Sequence, residues 1–293
     1  MVIRHLLHEE IDKKKWDENI SKTKNGLVYA LSWYLDVVSP NWEALISDDF
    51  KFIMPVPIKK KFKVPYIVQP LFTQQLGIFS KEPINIEIIK DFIKKLPSNS
   101  YQINLNAHNY YPDAAEYPNY ILSLDKPYDD LANMYSKNTV RNIKKAVNNN
   151  LIITENIDIE NFILFYESVN KKLKPADCGC MHDLIRYGIE RNILYLKGVT
   201  DNENNLIAAL CQTEFNNRIT YLILVSNDAG KKSSAMFYLI DSIIKQNSTT
   251  NKILDFEGSA IEGIARFYKG FGAENRPYYI IKHLRPSFLV GKM

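Results

Sequence analysis

Apolar residues recur along the chain with either a two-residue or a three-to-four-residue period, and the clearest alternation of the two lies in the last third. Residues 220–225 form an apolar, β-branched run of strand length; the polar stretch 226–232 reads as a turn, and apolar positions then return at helical spacing over 233–245. A short apolar strand over 252–257 is closed by Gly258-Ser259. It precedes a helix predicted over 260–270, which ends in Phe271-Gly272-Ala273 before a last strand over 278–283. Ser259-Ala260-Ile261-Glu262 has capping-box spacing, in which the Ser hydroxyl accepts from the amide three residues on and the Glu reaches back to the cap amide, so the helix start is marked. Ile261, Ile264, Ala265, Tyr268 and Phe271 fall on one helical face, and Gly272 supplies a left-handed stop.

The first half is more broken. Helices are predicted over 13–21, where Trp16 and Ile20 make an apolar edge, and over 30–38, stopped by Pro40. Strands over 42–46 and 51–57 are followed by the densest basic run, Lys59-Lys60-Lys61-Phe62-Lys63, and by a strand over 64–68. That run reads either as a solvated tip that blunts an edge strand or as an anion-facing loop. Next, Gln69, Gln74, Gln75 and Thr73 interrupt an apolar segment; buried amides need partners, so the segment is either an internally satisfied loop or the lining of a polar cleft. A helix over 84–96, a strand over 101–105, an aromatic, turn-rich loop over 108–119 and a strand over 120–124 complete this half.

Asp125-Lys126-Pro127 breaks the pattern and sets the expected domain boundary, giving 1–125 and 126–293. Beyond it come a helix over 128–135 and one capped by Ser136. On the latter, Lys137, Arg141, Lys144 and Lys145 share helical spacings, so one flank is positive while Val140 and Ile143 pack. A strand over 151–154, helices over 159–173 and 181–190, and strands over 192–199 and 206–214 lead to the stretch described first.

A length of 293 residues suits two cores, and 46% hydrophobic with 24% charged residues is ordinary for globular domains. A net charge of +4 is short of the basic footprint of a duplex-DNA-binding domain. The opening residues lack the pattern of a signal peptide, and no apolar run reaches the ~18 residues of a membrane span, so a cytosolic protein with no membrane span is expected. Cys178, Cys180 and Cys211 make neither an even disulfide framework nor a four-ligand metal set; with only His182 near Cys178-Gly179-Cys180, these read as loop thiols and no metal is expected.

The ending Ala265-Arg266-Phe267-Tyr268-Lys269-Gly270-Phe271-Gly272 is similar to the A-x-x-F/L-Y-x-x-x-G-F-type ending of the GCN5-related N-acetyltransferase (GNAT) fold, with one residue fewer between Tyr and Gly-Phe. The block from Asp255-Phe256-Glu257-Gly258-Ser259 through Ala273 resembles the FemAB-like branch of that superfamily, which includes peptidoglycan-bridge aminoacyltransferases. The resemblance implies an α/β architecture of two GNAT-like domains, each a central mixed β-sheet flanked by helices, with strands that part after Val225. It implies a carrier held by Val225, Asn227, Gly230, Lys231, Lys232, Ser233 and Ser234, where the start of a helix favours anions and two lysines add charge. The [Q/R]-x-x-G-x-[G/A] loop of coenzyme A-binding members is replaced here by Ser226-Asn227-Asp228-Ala229-Gly230-Lys231-Lys232-Ser233, with a single Gly and an acid. By the same resemblance, Gln69, Gln74 and Gln75 face an interdomain groove, and Arg141 and Lys145 lie near the substrate's phosphates.

Tyr268 aligns with the tyrosine that protonates a departing thiolate in many relatives, although a Tyr at a helical core position also serves packing. Asp255 and Glu257 are two apart on a predicted strand, so their carboxylates share a face; one buried there has a raised pKa and can take a proton from an ammonium. The plainer role for Glu257 is to cap the following helix. Together these features imply an acyltransferase that moves an acyl or aminoacyl group from acyl-CoA or aminoacyl-tRNA to a small-molecule or peptidoglycan-precursor amine. One alternative is a dedicated tRNA-dependent peptidoglycan-bridge transferase, although the heptads for its coiled-coil arm are missing. The other is a non-catalytic binding protein on the same fold.

Overall fold

Strand pairing divides this chain, in a computed structural model that describes residues 1–170, 175–258 and 260–284, into two units: Met1–Tyr117 with the segment from Pro277, and Pro118–Arg276. In the first unit, β1 (Ile3–Leu6), α1 (Lys13–Lys22), α2 (Ser32–Val38), β2 (Glu43–Ser47) and β3 (Phe52–Val56) run in order. β4 (Ile58–Lys61), β5 (Val64–Val68), β6 (Phe79–Ser80), α3 (Ile86–Lys94), β7 (Tyr101–Leu105) and β8 (Ala115–Tyr117) follow. The unit carries two sheets where one was expected: an antiparallel one ordered β1-β2-β3-β6, and a mixed one, β4-β5-β7-β16-β8, completed by β16 (Tyr278–His283). Trp16 of α1 is buried, donates its indole N–H to Ala30 O at 2.7 Å and packs on Trp42 at 5.0 Å, as its spacing with Ile20 predicted.

The basic run forms the edge strand β4 itself, and its turn is made by Phe62 and Lys63, both at positive φ. Lys59 and Lys60 are exposed, which leaves the edge charged and unsuited to pairing with another chain. Of the two alternatives for the glutamine segment, the hydrogen bonds match the internally satisfied loop. Gln69 donates to Thr73 O and accepts from Asn104 N; Gln75 donates to Gln74 Oε1 and accepts from Ala107 N. The main chain of Gln74 accepts from the Asn104 side chain.

The second unit contains β9 (Tyr120–Ser123), α4 (Tyr128–Asn133), α5 (Lys137–Asn148), β10 (Ile152–Glu155), α6 (Ile159–Val169), α7 (Pro175–Glu190), β11 (Leu194–Thr200) and β12 (Leu206–Phe215). It continues with β13 (Arg218–Ser226), α8 (Asp228–Ser233), α9 (Ala235–Asn247), β14 (Ile253–Asp255), α10 (Glu262–Lys269) and β15 (Glu274–Asn275). One seven-stranded sheet, β10-β11-β12-β13-β14-β9-β15, is antiparallel except between β13 and β14. Buried Leu239, Ile240, Ile243 and Ile244 of α9 cover it in one core with Ile219, Leu254 and Phe271.

Three expectations change. The boundary lies near 117 instead of 125 because β9 pairs with β14 and β15, and the chain's last strand returns to the first unit because β16 inserts between β7 and β8. β8 was missed because all three of its residues are exposed, so it carries no alternation. Cys178 and Cys180 lie on α7, which starts earlier than predicted, and not in a loop; residues 171–173 of the helix predicted over 159–173 fall outside the described residues. Among the described residues no cluster of three or more His, Cys, Asp or Glu could hold a metal, and no helix is long and apolar enough to cross a membrane.

Replacing Gln75 by Ala strands the Ala107 amide that it accepts from. In urea unfolding this substitution is expected to cost about 1–3 kcal/mol with an unchanged denaturant slope, and to leave ligand affinity in the second unit untouched.

Candidate functional site

β13 is paired with β12 along its whole length, from Arg218 opposite Phe215 to Ser226 opposite Ala208. Its pairing with β14 covers only Arg218, Ile219 and Thr220, opposite Ile253, Leu254 and Asp255. There the sheet forks. The chain after β14 stays zipped to β9, with Phe256 N donating to Tyr120 O at 2.9 Å and Tyr120 N to Glu257 O at 3.1 Å. Glu257 turns into the left-handed region at φ 59°, and Gly258 passes so close to Pro118 that an added Cβ would stand 1.7 Å from its carbonyl oxygen. Only glycine fits there. Beyond Thr220, the edge of β13 facing β14 has no partner strand among the described residues.

The root of the fork is pinned by an ion pair. Arg218 Nη1 meets Asp255 Oδ2 at 2.7 Å, with the carboxylate side chain 2% and the guanidinium side chain 24% exposed. Asp255 also accepts from the Glu257 amide at 2.9 Å. These contacts correct its expected role as a proton acceptor: the carboxylate is committed to Arg218 and does not line the cleft. The shared face expected for Asp255 and Glu257 is absent too, because the strand ends at Asp255 and Glu257 has left the extended conformation.

A cleft of about 510 Å³ opens from the fork, walled by Leu222, Leu224, Met236, Phe256 and Phe267, with Glu257, Lys231, Tyr221 and Tyr268 as its polar groups besides Ser226. Tyr268 is 8% exposed and packs on Phe256 at 4.9 Å. Burial, and then the charges of Glu257 and Asp255, push its phenol far above the ordinary tyrosine value, so it holds its proton at any working pH. It projects from α10, which starts at Glu262 and not at 260; its N-cap position is Ile261, with no side-chain cap, and the expected cap Ser259 lies outside the described residues.

The carrier loop expected over 226–232 is mostly helix, and its polar groups are largely spoken for. Asn227 caps α8, accepting from Gly230 N at 2.9 Å and donating its own amide to Ile207 O at 3.1 Å. Gly230 lies against that same Ile207 carbonyl, where a Cβ would stand at 2.1 Å. Ser233 donates to Ala229 O, and Ser234, at φ 64° between α8 and α9, donates to Asn142 Oδ1 at 2.7 Å. Of the seven residues expected to hold a carrier, Val225 and Lys231 line the cleft, Lys232 is exposed, and Asn227, Gly230, Ser233 and Ser234 build the turn. Arg141 and Lys145 sit with Lys137 and Lys144 on a shallow concavity of about 720 Å³ along α5, which shares no lining residue with the cleft.

Two groups escaped the sequence. Arg218 gave no signal, because its partner lies on a strand 37 residues away. Tyr221 looked like one more residue of a β-rich run, yet its hydroxyl is buried beside the fork without a hydrogen-bond partner among the described residues.

No family model and no curated protein matches the chain. Among solved structures it is similar to FemX, with a TM-score of 0.70 at 11% identity over 99% of both chains. It is also similar to a conserved protein of unknown function from Bacteroides thetaiotaomicron VPI-5482 (TM-score 0.59, 13% identity, 92% of this chain and 95% of that one). A third likeness is to L-PGS from Bacillus licheniformis (0.58, 8%, 94% and 93%). These likenesses show the fold: it is the one seen in FemX, over nearly the whole of both chains.

Breaking the pin tests its place in the fold. Arg218→Leu leaves a buried carboxylate unpaired and is expected to cost about 3 kcal/mol, the low end for such pairs because the arginine is partly solvated; adding Asp255→Leu restores most of it. Equal losses in the single and double variants, measured by chemical denaturation, would contradict this account.

Proposed function

We propose that this chain, built on the fold of FemX, transfers an acyl or aminoacyl group from a carrier to an amine in the cleft between β13 and β14. The observation that carries this reading is the fork itself: on the side facing β14, the edge of β13 beyond Thr220 has no partner strand among the described residues and borders a cleft that holds a protonated phenol, a carboxylate and a lysine. Buried backbone amides are nearly always paired, so an extended, amide-bearing carrier arm laid along that edge satisfies both sides. Lys231, at the cleft, supplies a positive charge for the carrier's anionic end.

The chemistry then needs few groups. The amine attacks the acyl carbonyl carbon, a C–N bond forms, and the carbonyl oxygen takes on negative charge. Collapse of the tetrahedral species breaks the bond from carbon to the carrier's sulfur or oxygen. The ammonium proton passes to the Glu257 carboxylate, and Tyr268 gives its phenol proton to the departing atom. Arg141 and Lys145, with Lys137 and Lys144, are suited to phosphates of the acceptor or carrier, a small-molecule or peptidoglycan-precursor amine on one side and tRNA on the other.

The state of Tyr268 favours a second reading within the same reaction class. A phenol raised this far is a poor proton donor to a thiolate, whose own pKa is about 8.5 in the cysteine case, and a better match for a departing alkoxide. That points to an oxygen-ester donor such as aminoacyl-tRNA in preference to a CoA thioester.

Carriers at about 100 times their Kd are expected to stabilise the chain by about 2.7 kcal/mol, a thermal shift of a few degrees. Acetyl-CoA, CoA and aminoacylated tRNA are compared side by side; if none shifts the transition, the transfer reading fails. With any amine that the wild type acylates, Tyr268→Phe is expected to lower kcat about 10²- to 10⁴-fold with little change in KM.

A further inference from the structure

Tyr221 is the first residue of β13 past its last pairing with β14: Thr220 stands opposite Asp255, and nothing on β14 stands opposite Tyr221. On the other side, Tyr221 faces Gln212 while Ile223 faces Cys211, so Leu222 is the extra residue of a β-bulge. Bulges increase local twist and re-aim side chains, and they recur beside active sites. The Tyr221 ring is 1% exposed, stands edge-on to Phe256 at 5.5 Å and lines the cleft. Its hydroxyl has no hydrogen-bond partner among the described residues.

A native fold rarely buries a donor with nothing to receive it, and such exceptions mark places where a ligand or water completes the bond. We propose that the Tyr221 hydroxyl donates to the carbonyl oxygen of the acyl group under transfer and holds that oxygen as it becomes negatively charged. This rests on the acyl-transfer reading and adds to it a residue that touches the reacting atoms. The donor keeps its proton throughout: the C–N bond forms, the bond to the carrier breaks, and the hydroxyl only strengthens its hydrogen bond as charge builds on oxygen. Burial, then the neighbouring Tyr268, drives the Tyr221 phenol well above its ordinary pKa, so it is always present as a donor. Division of labour follows. Tyr268 loses a proton to the leaving atom, and Tyr221 steadies the oxygen.

The rival explanation is structural. Gln212, opposite Tyr221 in register, has a buried side-chain oxygen that also lacks a partner among the described residues, and a water joining the two would make the hydroxyl part of the core. Binding and stability of the full chain, wild type and Tyr221→Phe, separate the two. The probes are acetyl-CoA with S-ethyl-CoA, which lacks the carbonyl oxygen, and an aminoacyl ester of adenosine with the corresponding ether. Wild type is expected to prefer one carbonyl-bearing probe over its partner by about two- to tenfold, the range of a single neutral hydrogen bond. Tyr221→Phe is expected to lose that preference with its melting temperature unchanged or raised. A preference that survives in Tyr221→Phe, or a lowered melting temperature with no change in preference, overturns the proposal alone. Failure of wild type to bind any of the four probes overturns the transfer reading and this proposal with it.

Discussion

Between Arg218 and Asp255, 2.7 Å apart, the two central strands of the second unit are held together for three residue pairs, and past that point each strand is committed to a different neighbour. β13 stays with β12 up to Ser226, and the chain beyond β14 stays with β9 up to Glu257. Each half of the sheet is therefore complete on its outer side, so the opening between them is a consequence of where the hydrogen bonds are and not of a loose edge. Charge fixes the point of divergence: a nearly dry carboxylate cannot leave its guanidinium without a penalty of several kcal/mol. The pair therefore closes the fork at its root, and the opening begins past Thr220, where the pairing of β13 with β14 ends.

The glycines keep the opening clear. Gly258 lets the chain swing past Pro118, and Gly230 lets α8 lie against the carbonyl of Ile207, each at a distance no side chain would tolerate. Of the two, Gly258 lines the cleft itself, and Gly230 fixes the turn just before Lys231, which also lines it. The aromatic cluster of Tyr221, Phe256, Phe267, Tyr268 and Phe271 fills the space below. Rings at edge-on and tilted angles make a stiff floor, which holds both phenols in fixed positions.

Much of this was legible in the residues. The apolar run at 220–225, the helix that carries Tyr268 and the cap at Ser136 each describe local geometry, and local geometry follows from neighbours in sequence; of the apolar face expected on that helix, Tyr268 is buried while Ile261 and Ile264 are exposed. What could not be read was partnership at a distance. Gln69 and Gln75 show only that amides must be satisfied, and not that Asn104 and Ala107 satisfy them. Likewise Asp255 and Glu257 alternate on paper, but the strand ends at Asp255 and Glu257 turns into the left-handed region. The last strand carries a clear pattern and no hint that it joins the first unit.

The basic flank of α5 and the buried phenol of Tyr221 were unequal clues, and magnitude decides between them. Lys137, Arg141, Lys144 and Lys145 are conspicuous in sequence, but a solvated cation needs no partner, and surface charge pairs contribute only ~0–1 kcal/mol. Such a flank is stable whether or not anything binds it. A buried hydroxyl without an acceptor among the described residues costs about 1–3 kcal/mol, and here it belongs to a residue that lines the cleft where two strands part. A destabilising feature at the mouth of a cleft discriminates among functions far better than a neutral one on the surface. On the proposed reading, the acyl carbonyl, an acceptor that grows more basic as the reaction proceeds, is the partner whose arrival turns that cost into rate.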